Sequence, residues 1–205
     1  MVRTVKKPAE RRKEIIDAAR SLFQSKDYDQ TTMQDVIDAV GIAKGTVYYY
    51  FKSKEELLEA VVNDIAEASV AHMQAIVDEP GGNALDKLRR LIAAGNVGHE
   101  HDAILEHLHR PGNVSMHTRL LATALMAQAP LYAQVVEQGR REGIFQTDTP
   151  LEAAEFILTA VQFLTDEGFY PWTQETLMRR AMALPGLIEA LLKAQPGSFQ
   201  FLLEP

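Results

Sequence analysis

Cysteine is absent from the 205 residues, which excludes a disulfide framework, a thiolate zinc site, an iron–sulfur cluster and a cysteine nucleophile. No apolar run approaches the roughly 20 residues that a membrane helix needs. The opening segment, MVRTVKKPAERRKE, is charged, with no apolar signal core behind it. These two absences predict a cytoplasmic protein with no membrane partner. Also missing are a GxSxG elbow, a phosphate loop, a dinucleotide fingerprint and HExxH. A small helical enzyme would then fall back on a nominal triad of Ser115, His101 and Asp102, which nothing in the sequence positions. There is no alternating strand pattern, internal repeat or low-complexity tract. The chain does contain 46% hydrophobic and 24% charged residues, enough for one large or two small domains with a buried core.

The net charge of -7 is unevenly distributed. Residues 1–54 hold 11 Lys/Arg against 7 Asp/Glu, whereas residues 55–205 hold 10 against 21. A basic head on an acidic body points to a polyanionic partner for the head alone, the alternative being a solubilising basic tail.

Helical periodicity runs through nearly the whole chain. Ile15, Ala18, Ala19, Leu22 and Phe23 recur at i, i+3, i+4, i+7 and i+8, predicting an amphipathic helix after Pro8. Thr32 with Asp35 forms a variant capping box that opens a short second helix, closed by Gly41. From Ser53 the run KEELLEAVVNDIAEASVAHMQAIVD has neither Pro nor Gly and predicts a long helix ending at Pro80-Gly81-Gly82. Further helices are expected over 83–96, 101–109, 115–128, 130–142, 150–167 and 173–193, divided by Pro111-Gly112-Asn113, Pro130, Gly143 and the Gly168–Trp172 turn. The fold class is all-α: a three-helix head over 1–53, a helical body over 54–195, and a tail over 196–205.

Two short helices joined by a tight turn on an amphipathic first helix define a helix-turn-helix candidate. Its second helix falls at about 43–51. Ile42, Val47 and Phe51 give an inward face, leaving Lys44, Thr46, Tyr48 and Tyr49 largely outside it. Lysine and tyrosine reach phosphate oxygens, Thr and Tyr reach base edges, and Gly45 lets the backbone approach a duplex closely. The alternative is an aromatic patch that binds protein, as in a scaffold or adaptor.

Arg12 through Ile16, Ala18-Ala19, Leu22-Phe23, Tyr28, Thr31-Thr32, Val36, Gly41-Ile42, the run Lys44 to Phe51, Lys54-Glu55 and Leu57-Leu58 together resemble the DNA-binding domain of the TetR family of transcriptional regulators. The resemblance covers about a quarter of the chain. It implies base or groove contacts from Lys44, Gly45, Thr46 and Tyr49, phosphate contacts from Thr32, Tyr48 and Lys54, and a base contact from Gln34. Arg3, Lys6, Lys7, Arg11 and Arg12 form either an arm on the DNA or a solvated tail. Asp27 replaces the usual glycine, Ala43 the usual Ser or Thr cap, and Tyr50 a common histidine.

The family's architecture implies a long helix leading to a C-terminal ligand-binding and dimerisation domain, and a homodimer on palindromic double-stranded operator DNA. Repression is the usual sign. The segment 151–164 is apolar nearly all round, and Leu177, Ala181, Leu184, Ile188 and Leu191 form a second stripe, kinked by Pro185, so these two segments are the expected dimer bundle; core packing in a monomer is the alternative. An apolar or amphipathic small molecule is the expected effector. His72, set on the stripe Leu58, Val62, Ile65, Ile76, is either a core residue or a polar handle in its pocket. Met73, Met116, His117, Met126, Tyr132, Phe156 and Phe163 are candidate lining, or plain core. All six histidines fall within 72–117, but His99/His101 and His107/His109 are two apart and point about 200° from each other on a helix. No metal and no cofactor is expected.

Overall fold

The computed structural model describes residues 6–95, 104, 107–109, 113–166 and 170–204. Arg3, His99, His101, Asp102 and Glu106 lie outside the described residues, as do most of the 101–109 helix and the Pro111-Gly112 break. Eight α-helices and no strand occur among the described residues: α1 (Pro8–Lys26), α2 (Met33–Val40), α3 (Lys44–Tyr50), α4 (Lys54–Asp78), α5 (Ala84–Gly95), α6 (Val114–Arg141), α7 (Pro150–Thr165) and α8 (Gln174–Leu192). A 3-10 turn over Gln200–Leu203 follows. The chain divides into two compact units, residues 1–67 with 98–108, and residues 68–97 with 109–205, so the division falls inside α4.

In the first unit, the apolar positions of α1 point inward as its periodicity requires: Ile15, Ile16, Ala19 and Phe23 are buried with Val36, Ile37, Val47, Phe51, Leu57 and Leu58. Thr32 caps α2, its hydroxyl accepting from the Asp35 N–H at 3.2 Å while the Asp35 carboxylate accepts from the Thr32 N–H at 2.7 Å. Gly41 ends α2 in the left-handed region, at φ 68°, donating to the Ile37 carbonyl. Ser53 caps α4 by accepting from the Glu56 N–H at 3.2 Å. Asp27 has φ 69° as the glycine position demands, but with ψ 153° it lies outside the left-handed helical well; its carboxylate accepts from the Asp29 N–H at 3.1 Å. Lys13 and Arg20 of α1 both pair with Asp64 of α4.

The second unit is built on Met73, Ile76, Leu88, Leu91, Leu131, Val135, Phe145, Ile188, Leu192 and Phe199. Two sequence expectations are corrected here, and the packing of the tail, which the sequence left open, is settled. Pro130 does not divide two helices: α6 runs through it, because Pro130 and Met126 both lie on the exposed side of the helix, where water can replace the one hydrogen bond that proline removes. His72 is exposed, although its neighbour Met73 is wholly buried, so it stands off the apolar stripe. The tail packs back, with Phe199 buried against Phe145 at 6.1 Å between ring centroids and its N–H donating to Glu189 at 3.0 Å. Lys87 is buried because its ammonium caps the end of α4, donating to the carbonyls of Val77 and Glu79 at 2.8 and 2.7 Å.

Gly139 in α6 lets the Phe145 ring lie against the helix backbone. A Cβ there would fall inside the ring and stand 3.0 Å from the Ala84 methyl. Gly139→Ala is therefore expected to destabilise the protein by about 1–3 kcal/mol, outweighing the roughly 1 kcal/mol that alanine gains in helix propensity. Urea unfolding checks it, and unchanged stability would mean that the ring is free to move aside.

Candidate functional site

The turn of the helix-turn-helix is Gly41-Ile42-Ala43, and α3 has only seven residues. Ala43 occupies the N-cap without a side-chain bond, as its methyl dictates, and its carbonyl accepts from the Thr46 and Val47 N–H groups. Val47 and Phe51 are sealed in the core. Their one-turn spacing fixes which way the rest of α3 faces. Lys44, Gly45 and Tyr49 are exposed, Tyr49 at 73%, and Thr46 and Tyr48 are half-buried at the edge. Apart from its chain neighbours and the backbone of its own helix, nothing described lies within 4 Å of where a Cβ on Gly45 would stand, so that stretch of backbone is open to a close-approaching ligand. Tyr49 meets Tyr50 edge-to-face at 5.1 Å, and the Lys44 ammonium lies 5.7 Å from the Tyr48 ring.

Lys52, which the sequence reading did not single out, donates to the Tyr48 and Tyr49 carbonyls at 2.7 and 3.3 Å and so closes the C-terminus of α3. A lysine just past a helix end is the signal that marks it. Among the expected phosphate ligands, Thr32 is exposed but its hydroxyl serves the α2 cap. Gln34 is exposed and donates to Asp38 at 2.8 Å. Lys54 is turned inward: it donates to the carbonyls of Tyr28 and Thr31 at 2.9 and 3.0 Å, with its ammonium 4.1 Å from the Tyr28 ring. It holds the α1–α2 connection, where burial and the nearby Glu55 and Asp29 carboxylates push the Tyr28 phenol up to about 12. His107 lies on the same ring at 3.8 Å. In the basic arm, Lys6 and Arg11 pair with Glu14, and Arg12 lies over Phe51 at 5.1 Å.

In the second unit an apolar cavity of about 460 Å3 is walled by α5, α6, α7, α8 and the tail, through Ile92, Ile157, Val161, Leu184, Ile188 and Leu202 among others. That volume is in the range of small-molecule sites. Gln128, Tyr132, Gln162 and Thr165 supply its polar points, and no charged side chain is among its described lining. Burial pushes the Tyr132 phenol well above its ordinary value, keeping its hydroxyl protonated as a donor. A wider groove of about 820 Å3 is open and rimmed by Asp78, Glu137, Arg141, Asp148 and Glu152, and lacks an enclosed apolar wall.

Of the expected lining residues, Tyr132 stands in the cavity and the others stand elsewhere. Met73 is core, His72 is exposed and Met116 is half-buried. His117 is buried beside Asp166, with Nε2 3.0 Å from Oδ2. Burial lowers the His117 pKa, and Asp166 partly opposes this. Met126, Phe156 and Phe163 share a different, exposed depression on α6 and α7. The signal for the cavity was the isolated polar residues in apolar helices: Gln162 and Thr165 three apart on α7, Gln128 and Tyr132 four apart on α6.

A compact three-helix head with an outward polar and aromatic second helix defines a helix-turn-helix DNA-binding protein. Comparison with known proteins gives the family. The description "Bacterial regulatory proteins, tetR family" matches residues 15–61, and "Tetracyclin repressor-like, C-terminal domain" matches residues 97–186. The chain belongs to the TetR family of bacterial transcriptional regulators. It is 27% identical over 153 residues to the HTH-type transcriptional repressor KstR2 of Mycolicibacterium smegmatis, covering 73% of this chain and 74% of that protein. It is 31% identical over 93 residues to the HTH-type transcriptional regulator TtgR of Pseudomonas putida, covering 45% of this chain and 44% of that one. Among solved structures it shares the fold of SmeT, the repressor of the Stenotrophomonas maltophilia multidrug efflux pump SmeDEF, at TM-score 0.61, 18% identity and 92% coverage of each chain. It also shares the fold of the fatty acid degradation regulator FadR from Bacillus halodurans, at TM-score 0.59, 22% identity and coverage of 98% and 97%. Family and relatives are regulators rather than enzymes, which sets aside the enzyme alternative.

Tyr49→Ala and Lys44→Ala are expected to weaken duplex binding while leaving helical content and melting temperature unchanged, each base-reading contact contributing about 1–3 kcal/mol. Lys54→Ala should do the reverse in emphasis, lowering stability by about 1.5–3 kcal/mol through the lost charged hydrogen bonds. Paired measurements of DNA affinity and thermal unfolding separate the two classes. If Lys44→Ala and Tyr49→Ala bind as the parent does, α3 is not the reading helix.

Proposed function

We propose that the protein is a cytoplasmic one-component repressor, a homodimer that binds a palindromic operator and is released from it by a small apolar or amphipathic molecule held in the cavity of the second unit. The observation that carries this reading is α3, anchored by Val47 and Phe51 with Lys44, Gly45 and Tyr49 left to solvent. Base or groove contacts are assigned to Lys44, Gly45, Thr46 and Tyr49, with Tyr48, Thr32 and Gln34 at the flanks. Lys54 acts by holding the head together.

The dimer reading rests on α7 and α8. Ala153, Ala154, Ile188 and Leu192 are buried within one chain, yet Phe156, Phe163, Met178, Met182 and Leu187 of the same helices are more than half exposed. Helices that are apolar on every side need a partner on every side. A single helix-turn-helix reads too few base pairs for useful specificity, and paired heads meet half-sites about 34 Å apart. The effector reading rests on the cavity's volume and on its uncharged polar points, which suit a molecule with an apolar body and a neutral hydrogen-bonding group.

Selection of bound sequences from random duplex DNA is expected to return an inverted repeat; a pool with no enriched repeat would count against an operator-reading dimer. Phe156→Asp or Met182→Asp is expected to give folded monomers at micromolar concentration, since both side chains are exposed in the single chain. Native mass measures this, and dimers surviving both changes would place the interface elsewhere. A ligand that lowers operator affinity must be bound more weakly by the same factor when operator is saturating. Equal ligand affinity with and without operator would refute effector control.

A further inference from the structure

Two of the six histidines come together at a place that their spacing does not announce. His109 precedes α6, His117 lies in the first turns of α6, and Asp166 is the residue at which α7 ends. His117 Nε2 stands 3.0 Å from one carboxylate oxygen of Asp166, and His109 Nε2 stands 4.0 Å from the other. The two imidazole rings are 5.0 Å apart between centroids, and the three ligand atoms all lie within 4.8 Å of one another. The His117 side chain is 6% exposed, that of Asp166 10% and that of His109 36%.

A simple buried ion pair would need one imidazole. Here two rings address different oxygens of one carboxylate. The donor atoms of both rings and of the carboxylate converge within 4.8 Å of one another, with the rings 5.0 Å apart between centroids. Two imidazole nitrogens and a carboxylate oxygen that converge in this way form a donor set suited to a divalent cation. Two metal–ligand bonds of about 2.1 Å hold their donor atoms roughly 3.4 Å apart in a tetrahedron, so shifts of about an ångström close this set around an ion.

We propose that His109, His117 and Asp166 bind a divalent first-row metal ion, with Zn2+ the best match to two imidazoles and one carboxylate, and with a fourth position left for water or another donor. In the absence of cysteine, soft Cu(I) is a poor match, and two nitrogens disfavour Mg2+ and Ca2+. Because Thr165 and Gln162, in the turn just before Asp166, line the apolar cavity, the ion fixes the end of α7 beside the cavity's polar points. The site itself stands independently of any effector role.

The test uses the full-length protein, stripped of metal with a chelator, and titrated with Co2+ as a spectroscopic probe. Visible absorption bands of four- or five-coordinate Co2+ should saturate at one ion per chain and be displaced by Zn2+. His117→Ala and Asp166→Asn are expected to weaken binding by more than about tenfold, since even loss of an outer-shell partner commonly costs that much. His109→Ala, at the half-exposed rim, should do the same with unchanged helical content, which keeps the test decisive if a buried variant fails to fold. His72→Ala, whose side chain stands exposed on α4, should bind as the parent does. Absence of saturable Co2+ binding at micromolar concentration, parent-like binding by His109→Ala, or loss of binding on changing His72 would overturn the proposal.

Discussion

Seven residues cannot hold a helix in water, and every feature of the first unit follows from having to display one that short. α3 keeps its conformation because Val47 and Phe51 are packed into a core laid down by α1, α2 and α4, not because its own sequence favours helix. Its N-cap is alanine, which adds no side-chain bond, and its interior includes glycine and three tyrosines. Tertiary burial therefore outweighs local propensity, and the residues not used for burial are the ones free to meet a ligand. The surrounding cations serve the same end: Lys52 closes the C-terminus of α3 and Lys54 ties down the α1–α2 connection.

Local signals were readable in advance because their physics is local. The Thr32–Asp35 capping box, the closure of α2 by Gly41 and the inward face of α1 each depend on residues within the same element, and each stands as the spacing predicts. The fate of Lys54 was not readable, because whether an ammonium meets a phosphate or a carbonyl depends on the path of a loop some 25 residues away. Pro130 misled for a related reason: proline removes one hydrogen bond, but on the exposed side of a helix water can replace that bond and the helix continues. His109, His117 and Asp166 meet across some 50 residues, beyond any spacing rule.

In the second unit the difficulty was one of side rather than of structure. Composition shows that α7 is apolar, but Ala153 faces the core, Val161 a cavity and Phe156 the solvent, and an apolar residue carries no mark of which it does. Met and aromatic residues drew attention as cavity lining, yet Met126, Phe156 and Phe163 lie outside and Met73 lies in solid core. Polar exceptions proved more informative. Gln162 within an apolar helix has to find a partner or a cavity, and it stands at the cavity wall with Thr165 one turn on.

The small basic head and the acidic body differ in the sign of their charge, and electrostatics gives the most direct access to what the head binds. The measurement is the affinity of the full chain for its selected duplex as a function of salt concentration. Because contacts to phosphate release counterions, log affinity should fall linearly with log salt, by roughly a thousandfold or more between about 50 and 200 mM if two heads make six or more phosphate contacts. Binding that is insensitive to salt, or absent at low salt from a chain of net charge -7, would contradict a DNA-reading head and leave the exposed tyrosines of α3 as a surface for protein.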